Sequence, residues 1–106
     1  MRPMFEKALK KKEITAWVGT GTDDTIAATE FLIERGIDIP NEISVMGLGD
    51  VENTRGYGIT VFDFIESKGG YLAAHCILGD IPIKKNRKGY VEYEGQIMVR
   101  KSVKKI

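Results

Sequence analysis

Two short segments place carboxylates where they could do chemistry. Asp23 and Asp24 follow Gly19-Thr20-Gly21, and Asp50 follows Gly47-Leu48-Gly49. Each comes directly after a run suited to a strand, Thr15-Ala16-Trp17-Val18 in one case and Ile43-Ser44-Val45-Met46 in the other. In an open α/β sheet, ligands sit outside the carboxyl ends of the strands. Carboxylates there accept hydrogen bonds from hydroxyl or amine groups, so Asp23, Asp24 and Asp50 are candidates for holding a polar small molecule. The first pair also has a plainer account. Short polar residues cap helices, and acidic residues in a first turn meet the positive end of the helix dipole. Capping needs only one residue, so the pair leaves one to explain. Residue type alone balances the two accounts. Asp50 reads equally as a turn former or as a second wall of a cleft.

Other chemistries find less support. Gly19-Thr20-Gly21 after a strand resembles the start of a dinucleotide fingerprint. Its third glycine, which permits close helix packing, is replaced by Asp24. Two carboxylates at a helix start would also repel a pyrophosphate. No Gly-Lys-Ser/Thr follows, which excludes a phosphate-binding P-loop. His75 and Cys76 are neighbours on one expected helix and point about 100° apart, so they form no dyad. One His and one Cys make no metal set of the usual spacing. None of the serines, Ser44, Ser67 and Ser102, stands in a Gly-x-Ser-x-Gly elbow. Carboxylate pairs of the glycosidase kind have nothing pointing to them. No catalysis and no cofactor are expected.

The elements that position these residues follow from periodicity. Residues 3–12 read as an amphipathic helix, with Met4, Phe5, Ala8 and Leu9 on one side and lysines opposite. Residues 14–18 read as a buried strand. Thr22 is expected as an N-cap, and Ile26, Ala27, Phe31 and Ile33 alternate with polar residues around about three turns of helix. Gly36 is expected to stop that helix in a left-handed conformation. A second strand over 43–48 completes a βαβ unit, hence parallel strands joined by a right-handed crossover. Residues 53–58 read as a loop and 59–64 as a third strand. Residues 66–78 read as a helix despite Gly69-Gly70, which cost about 1 kcal/mol each against alanine. A basic turn over 84–89 and strands over 90–93 and 96–99 are expected to follow.

Composition bounds the rest. The 106 residues, 42% hydrophobic and 29% charged, are those of one globular domain or a piece of one. No apolar run reaches the ~20 residues that span a membrane, and the start lacks the pattern of a signal peptide. A lone Cys76 agrees with a reducing compartment, so a cytoplasmic location with no membrane contact is expected. The net charge of +1 hides basic ends, +4 over residues 1–12 and +6 over 84–106, around a middle of −9. The basic tail has only Tyr90 and Tyr93 interleaved, and charge runs usually mark solvated segments. Direct DNA contact by this chain is not expected.

On these residues the chain resembles the effector-binding domain of lactose/galactose-repressor (LacI/GalR) transcription regulators. The resemblance rests on Thr15-Ala16-Trp17-Val18, the Asp-Asp start, Ala27, and above all the stretch from Leu32 to Gly47 with its Gly36-Ile37-Asp38-Ile39-Pro40-Asn41-Glu42-Ile43-Ser44-Val45-Met46-Gly47. Ile59-Thr60-Val61, Gly69 and the closing Val99-Arg100-Lys101-Ser102 add to it. It spans residues 13–103 and covers only the last third or so of such a domain.

The resemblance implies a periplasmic-binding-protein-like α/β fold of two lobes with a ligand cleft between them. Residues 1–62 would form the βαβ portion of the C-terminal lobe, 63–94 a crossover with a helix and strand of the other lobe, and 95–106 a return strand and tail. It implies a sugar-like effector whose binding closes the lobes and controls DNA binding by an N-terminal head outside this sequence. It also implies a homodimer. A periplasmic sugar-binding transport protein of the same fold is the alternative. The family's ligand-contacting aspartate falls on Asp24, with Asp23 where the family has Asn. The first of the family's paired aspartates is Gly49 here, leaving Asp50 as the second. Its later polar contact region becomes Phe62-Asp63-Phe64, which makes Asp63 and Phe64 further candidates.

Overall fold

The computed structural model describes residues 2–106. Its elements run α1 (Arg2–Leu9), β1 (Ala16–Gly19), α2 (Thr22–Glu34), β2 (Ser44–Leu48), α3 (Glu52–Gly56), β3 (Thr60–Asp63), α4 (Glu66–Leu78) and β4 (Gln96–Met98). The strands form one sheet in the order β1-β2-β3-β4. β1 and β2 are parallel, Ala16 against Ser44 and Gly19 against Gly47; β2 and β3 are parallel, Met46 against Thr60 and Leu48 against Phe62. This is the α/β class with the parallel βαβ core that the spacing predicts.

By contact the chain divides into two compact units, one running to Asp63 and taking in Ile97–Ile106, the other Phe64–Gln96. In the first, Phe31 and Leu32 of α2 are buried with Val45, Ile59 and Val61 of the sheet region. Phe5 of α1 joins them, its ring 5.6 Å from Trp17 and 5.3 Å from Phe31. The start of α2 sits close against the sheet because glycines face it. A Cβ on Gly19 would lie 2.0 Å from Thr25 Oγ1 and 2.9 Å from Thr25 Cα, and one on Gly47 would lie 2.8 Å from Thr25 Cγ2. Thr25 itself is fully buried, its hydroxyl donating to the Gly21 carbonyl at 2.7 Å.

The helix ends show both agreement and correction. Gly36 has φ +70, its N–H donates to Ile33 C=O and that of Ile37 donates to Leu32 C=O, both at 3.0 Å. This is the left-handed stop with both closing bonds formed. The N-cap, however, is Gly21, and Thr22 is already the first helical residue. Residues 53–58 are not simply a loop, since most of them form α3. The local reason is Thr54, buried, whose Oγ1 accepts from Val51 N–H at 2.9 Å and so closes the turn.

In the second unit, α4 ends at Gly79 with φ +65. Gly69 has a reason to be glycine, because a Cβ there would lie 2.5 Å from the Tyr93 hydroxyl. The strand expected over 90–93 does not form. Asn86 takes up its backbone instead, its Oδ1 accepting from Lys88 N–H at 2.9 Å and Tyr90 N–H at 3.0 Å while Asn86 N–H donates to Tyr90 C=O at 2.8 Å. Such local side-chain bonds compete with a strand ladder. The final strand is Gln96–Met98, one residue shorter than expected.

Candidate ligand site at the carboxyl edge of the sheet

Because β1, β2 and β3 run parallel, their carboxyl ends share one edge of the sheet. The segments beyond β1 and β2 carry Asp23 and Asp24, and Gly49 and Asp50, while Asp63 is the last residue of β3. The first two segments abut: a Cβ on Gly49 would lie 3.1 Å from the Thr22 methyl. Gly49 has φ +95, and its N–H donates to Phe62 C=O at 2.8 Å. A side chain at this position would therefore be strained as well as crowded.

Asp23 and Asp24 lie in the first turn of α2 and are exposed. Gly21 makes no side-chain cap, and among the described residues neither carboxylate forms a hydrogen bond or ion pair. The capping account is thus not realised by contact, and what remains of it is the favourable dipole. Asp24 lines a cavity of about 400 Å³ with Thr20, Thr25 and apolar atoms of Phe5, Ala8, Trp17 and Val18. Its carboxylate remains an acceptor open to a hydroxyl or amine.

Asp50 is occupied. Arg100 Nη1 donates to its Oδ1 and Nη2 to its Oδ2, each at 2.9 Å. Thr54 Oγ1 donates to Oδ1 at 2.9 Å, and Arg55 stands 3.4 Å from Oδ2. The Asp50 side chain is 9% exposed and that of Arg100 17%. Arg100's hydrogen bonds hold the Asp50 carboxyl down, from 3.8 to about 2. Burial opposes them, while the Thr54 bond and the charges of Arg100 and Arg55 assist. Arg100 also donates to the Ile59 carbonyl at 2.9 Å. The pair ties the returning chain to the segment after β2.

Asp63 closes β3, half-buried, and its charge acts favourably on Arg100. Phe64 is 43% exposed and opens the second unit. The structure therefore gathers Asp50 and Asp63 around Arg100, and leaves Asp23 and Asp24 unengaged. Reading the sequence residue by residue missed Arg100 as a partner. The closing Arg100-Lys101-Ser102 was visible as a pattern, but nothing local announces its partner fifty positions earlier. Among the described residues, no three His, Cys, Asp or Glu side chains are placed to hold a metal ion, and no helix is long and apolar enough to cross a membrane.

An open parallel sheet with loops of this kind at its carboxyl edge is the architecture of periplasmic-binding-protein-like lobes. Among the solved structures it matches are LacI-family transcriptional regulators, and the chain has the fold of a part of them. One, from Corynebacterium glutamicum, superposes with a TM-score of 0.76 at 20% identity, covering 93% of this chain and 39% of that one. A second, a sugar-binding regulator from Escherichia coli complexed with phosphate, gives 0.71 at 19%, covering 93% and 36%. A third, from Silicibacter pomeroyi, gives 0.70 at 19%, covering 98% and 32%. The chain thus spans about a third of the length of the structures it matches. No family model and no curated protein matches it.

Proposed function

We propose that this chain is the small-molecule-sensing portion of a bacterial transcription regulator, with a sugar-like effector held at the carboxyl edge of the sheet. Asp24 accepts hydrogen bonds from effector hydroxyls, with Asp23 beside it. Asp63, at the end of β3, and Phe64 after it are further proposed contacts. Asp50 shapes the wall through Arg100 and Thr54, its own acceptors being taken. In the whole regulator, residues 1–62 with 95–106 would belong to one lobe and 63–94 to the other. Effector binding would favour the closed arrangement and change how a dimer's N-terminal heads sit on DNA. Such coupling requires different affinities for the open and closed states. The setting is cytoplasmic and the role is not catalytic.

The observation that carries this reading is the unengaged Asp24 carboxylate at the carboxyl edge of a LacI-like parallel sheet. The sugar class draws on the sugar-binding regulator among the structural neighbours. Titrating the protein calorimetrically with monosaccharides, disaccharides and nucleobases tests it, alongside Asp24→Asn. Heat from one class, lost in the variant while circular dichroism is unchanged, supports the sensor. Binding unaffected by Asp24→Asn would remove Asp24 from the site. The reading frame upstream separates the alternative: a helix-turn-helix there supports a regulator, and a signal peptide an exported sugar-binding protein.

A further inference from the structure

Arginine is the side chain best suited to phosphates and carboxylates, because its planar fork of donors matches their oxygens. Arg100 is held from two sides. Its N–H donates to Thr60 Oγ1 at 2.9 Å, and Nη1 donates to the Ile59 carbonyl at 2.9 Å. A guanidinium fixed in this way is ready for an anion, and Asp50 supplies one from within the chain. Both ends of the fork close on its two oxygens, and the Thr54 hydroxyl adds a third bond. Arg55 stands 3.4 Å from the same carboxylate, so both of these cations bear on Asp50. The turn at Gly49 abuts Thr22, and the next two residues, Asp23 and Asp24, add negative charge. Between them these segments offer an effector acceptors and no unspent guanidinium.

We infer that Asp50 is a specificity-determining residue: by occupying Arg100 it keeps phosphate and carboxylate groups off this edge, which then takes hydroxyl or amine groups. The tethered carboxylate outcompetes a free anion because it is already in place and loses no translational freedom on binding. It is also shielded, with 9% of its side chain exposed, so exchange with a dissolved anion is disfavoured. Removing the Asp50 carboxylate leaves the fork anchored at Thr60 and Ile59 but without its partner. The space vacated has the shape of a carboxylate. The inference rests on the sensor reading only for where an effector lies; the exclusion of anions belongs to Asp50 and Arg100 themselves.

Titrating the isotope-labelled 106-residue chain with formate and with inorganic phosphate, following the Arg100 Nε–H signal by NMR, tests this. In the parent neither anion should move that signal saturably. In Asp50→Ala formate should do so, with an affinity roughly tenfold or more above the parent's, the size of one charge-assisted bond. Adding Arg100→Gln to Asp50→Ala should abolish the gain, read at the Thr54 amide. Asp50→Asn removes the charge with little change of shape, and there phosphate should shift Arg100; this decides the matter should Asp50→Ala unfold. A parent that binds phosphate through Arg100 would overturn the proposal. So would folded variants in which Arg100 ignores both anions. Sugar binding is a separate readout, whose absence would overturn the sensor reading and leave the anion titration to decide this one.

Discussion

Arg100 and Asp50 stand fifty positions apart in the chain and meet in a two-point ion pair, both contacts at 2.9 Å. The pair is largely shielded from water and bridges the segment after β2 to the returning C-terminal stretch. Two parallel bonds in fixed geometry are stronger than a surface contact, and they demand a guanidinium.

Arg100→Lys should therefore behave as a loss, costing about 1–2 kcal/mol of unfolding free energy in urea. Asp50→Ala should cost about 3 kcal/mol, since it strands a shielded guanidinium. A double-mutant cycle with Arg100→Ala should return a coupling near 2 kcal/mol. Additive effects would show that the pair contributes nothing as a pair.

Acid should expose the same contact. The Asp50 carboxyl titrates at about 2 in the folded chain against 3.8 without its partners. Its stabilisation is fully present above pH ~4 and disappears as pH falls through ~2; a depression of this size is worth roughly 2 kcal/mol. Unfolding curves for the parent and Asp50→Asn should converge across that window. A parent whose stability does not change there would contradict the assignment.

Ser102 completes the sheet. Thr60 N–H donates to its Oγ at 2.8 Å, and the hydroxyl donates to Val45 C=O at 2.5 Å, relaying a bond between β2 and β3. Val45 N–H in turn donates to Ser102 C=O at 2.9 Å. Ser102→Ala would leave buried polar groups unpaired, and a loss of about 2–3 kcal/mol is expected. Amide exchange at Thr60 should accelerate; unchanged protection would refute the relay.

Gly19→Ala should be among the most damaging small substitutions. The added Cβ meets Thr25 backbone as well as side chain, so neither rotation nor small shifts relieve it. A loss of about 3 kcal/mol or more is expected by thermal melts, against little for Gly70→Ala, where nothing lies within 4 Å.

Much of this architecture is written locally. The helix from Thr22 to Glu34 shows in the spacing of its apolar residues, and Gly36 ends it because glycine alone adopts positive φ freely. The helix from Glu66 to Leu78 follows from periodicity despite two glycines, and Tyr93 supplies the reason for one of them. The candidate site was legible in part: Asp23, Asp24 and Asp50 were visible as carboxylates following strands, whereas Asp63 entered only through the family resemblance. Local signals failed where distant or side-chain bonds intervened. Thr54 turned a loop-like stretch into α3, and Asn86 bound Tyr90 into the preceding turn, where a strand over 90–93 was expected.

The sequence by itself determined the class of fold, because side-chain periodicity and turn chemistry act between near neighbours. Only the tertiary structure decided which carboxylates are open. Asp24 and Asp50 are the same residue type in similar glycine-rich settings, and the near neighbours Thr54 and Arg55 account for only part of what engages Asp50. The largest difference is Arg100, brought back across the sheet by the return of the chain. Whether a carboxylate is a ligand acceptor or an anchor depends on which groups the fold brings within hydrogen-bond reach, and that is set by long-range packing.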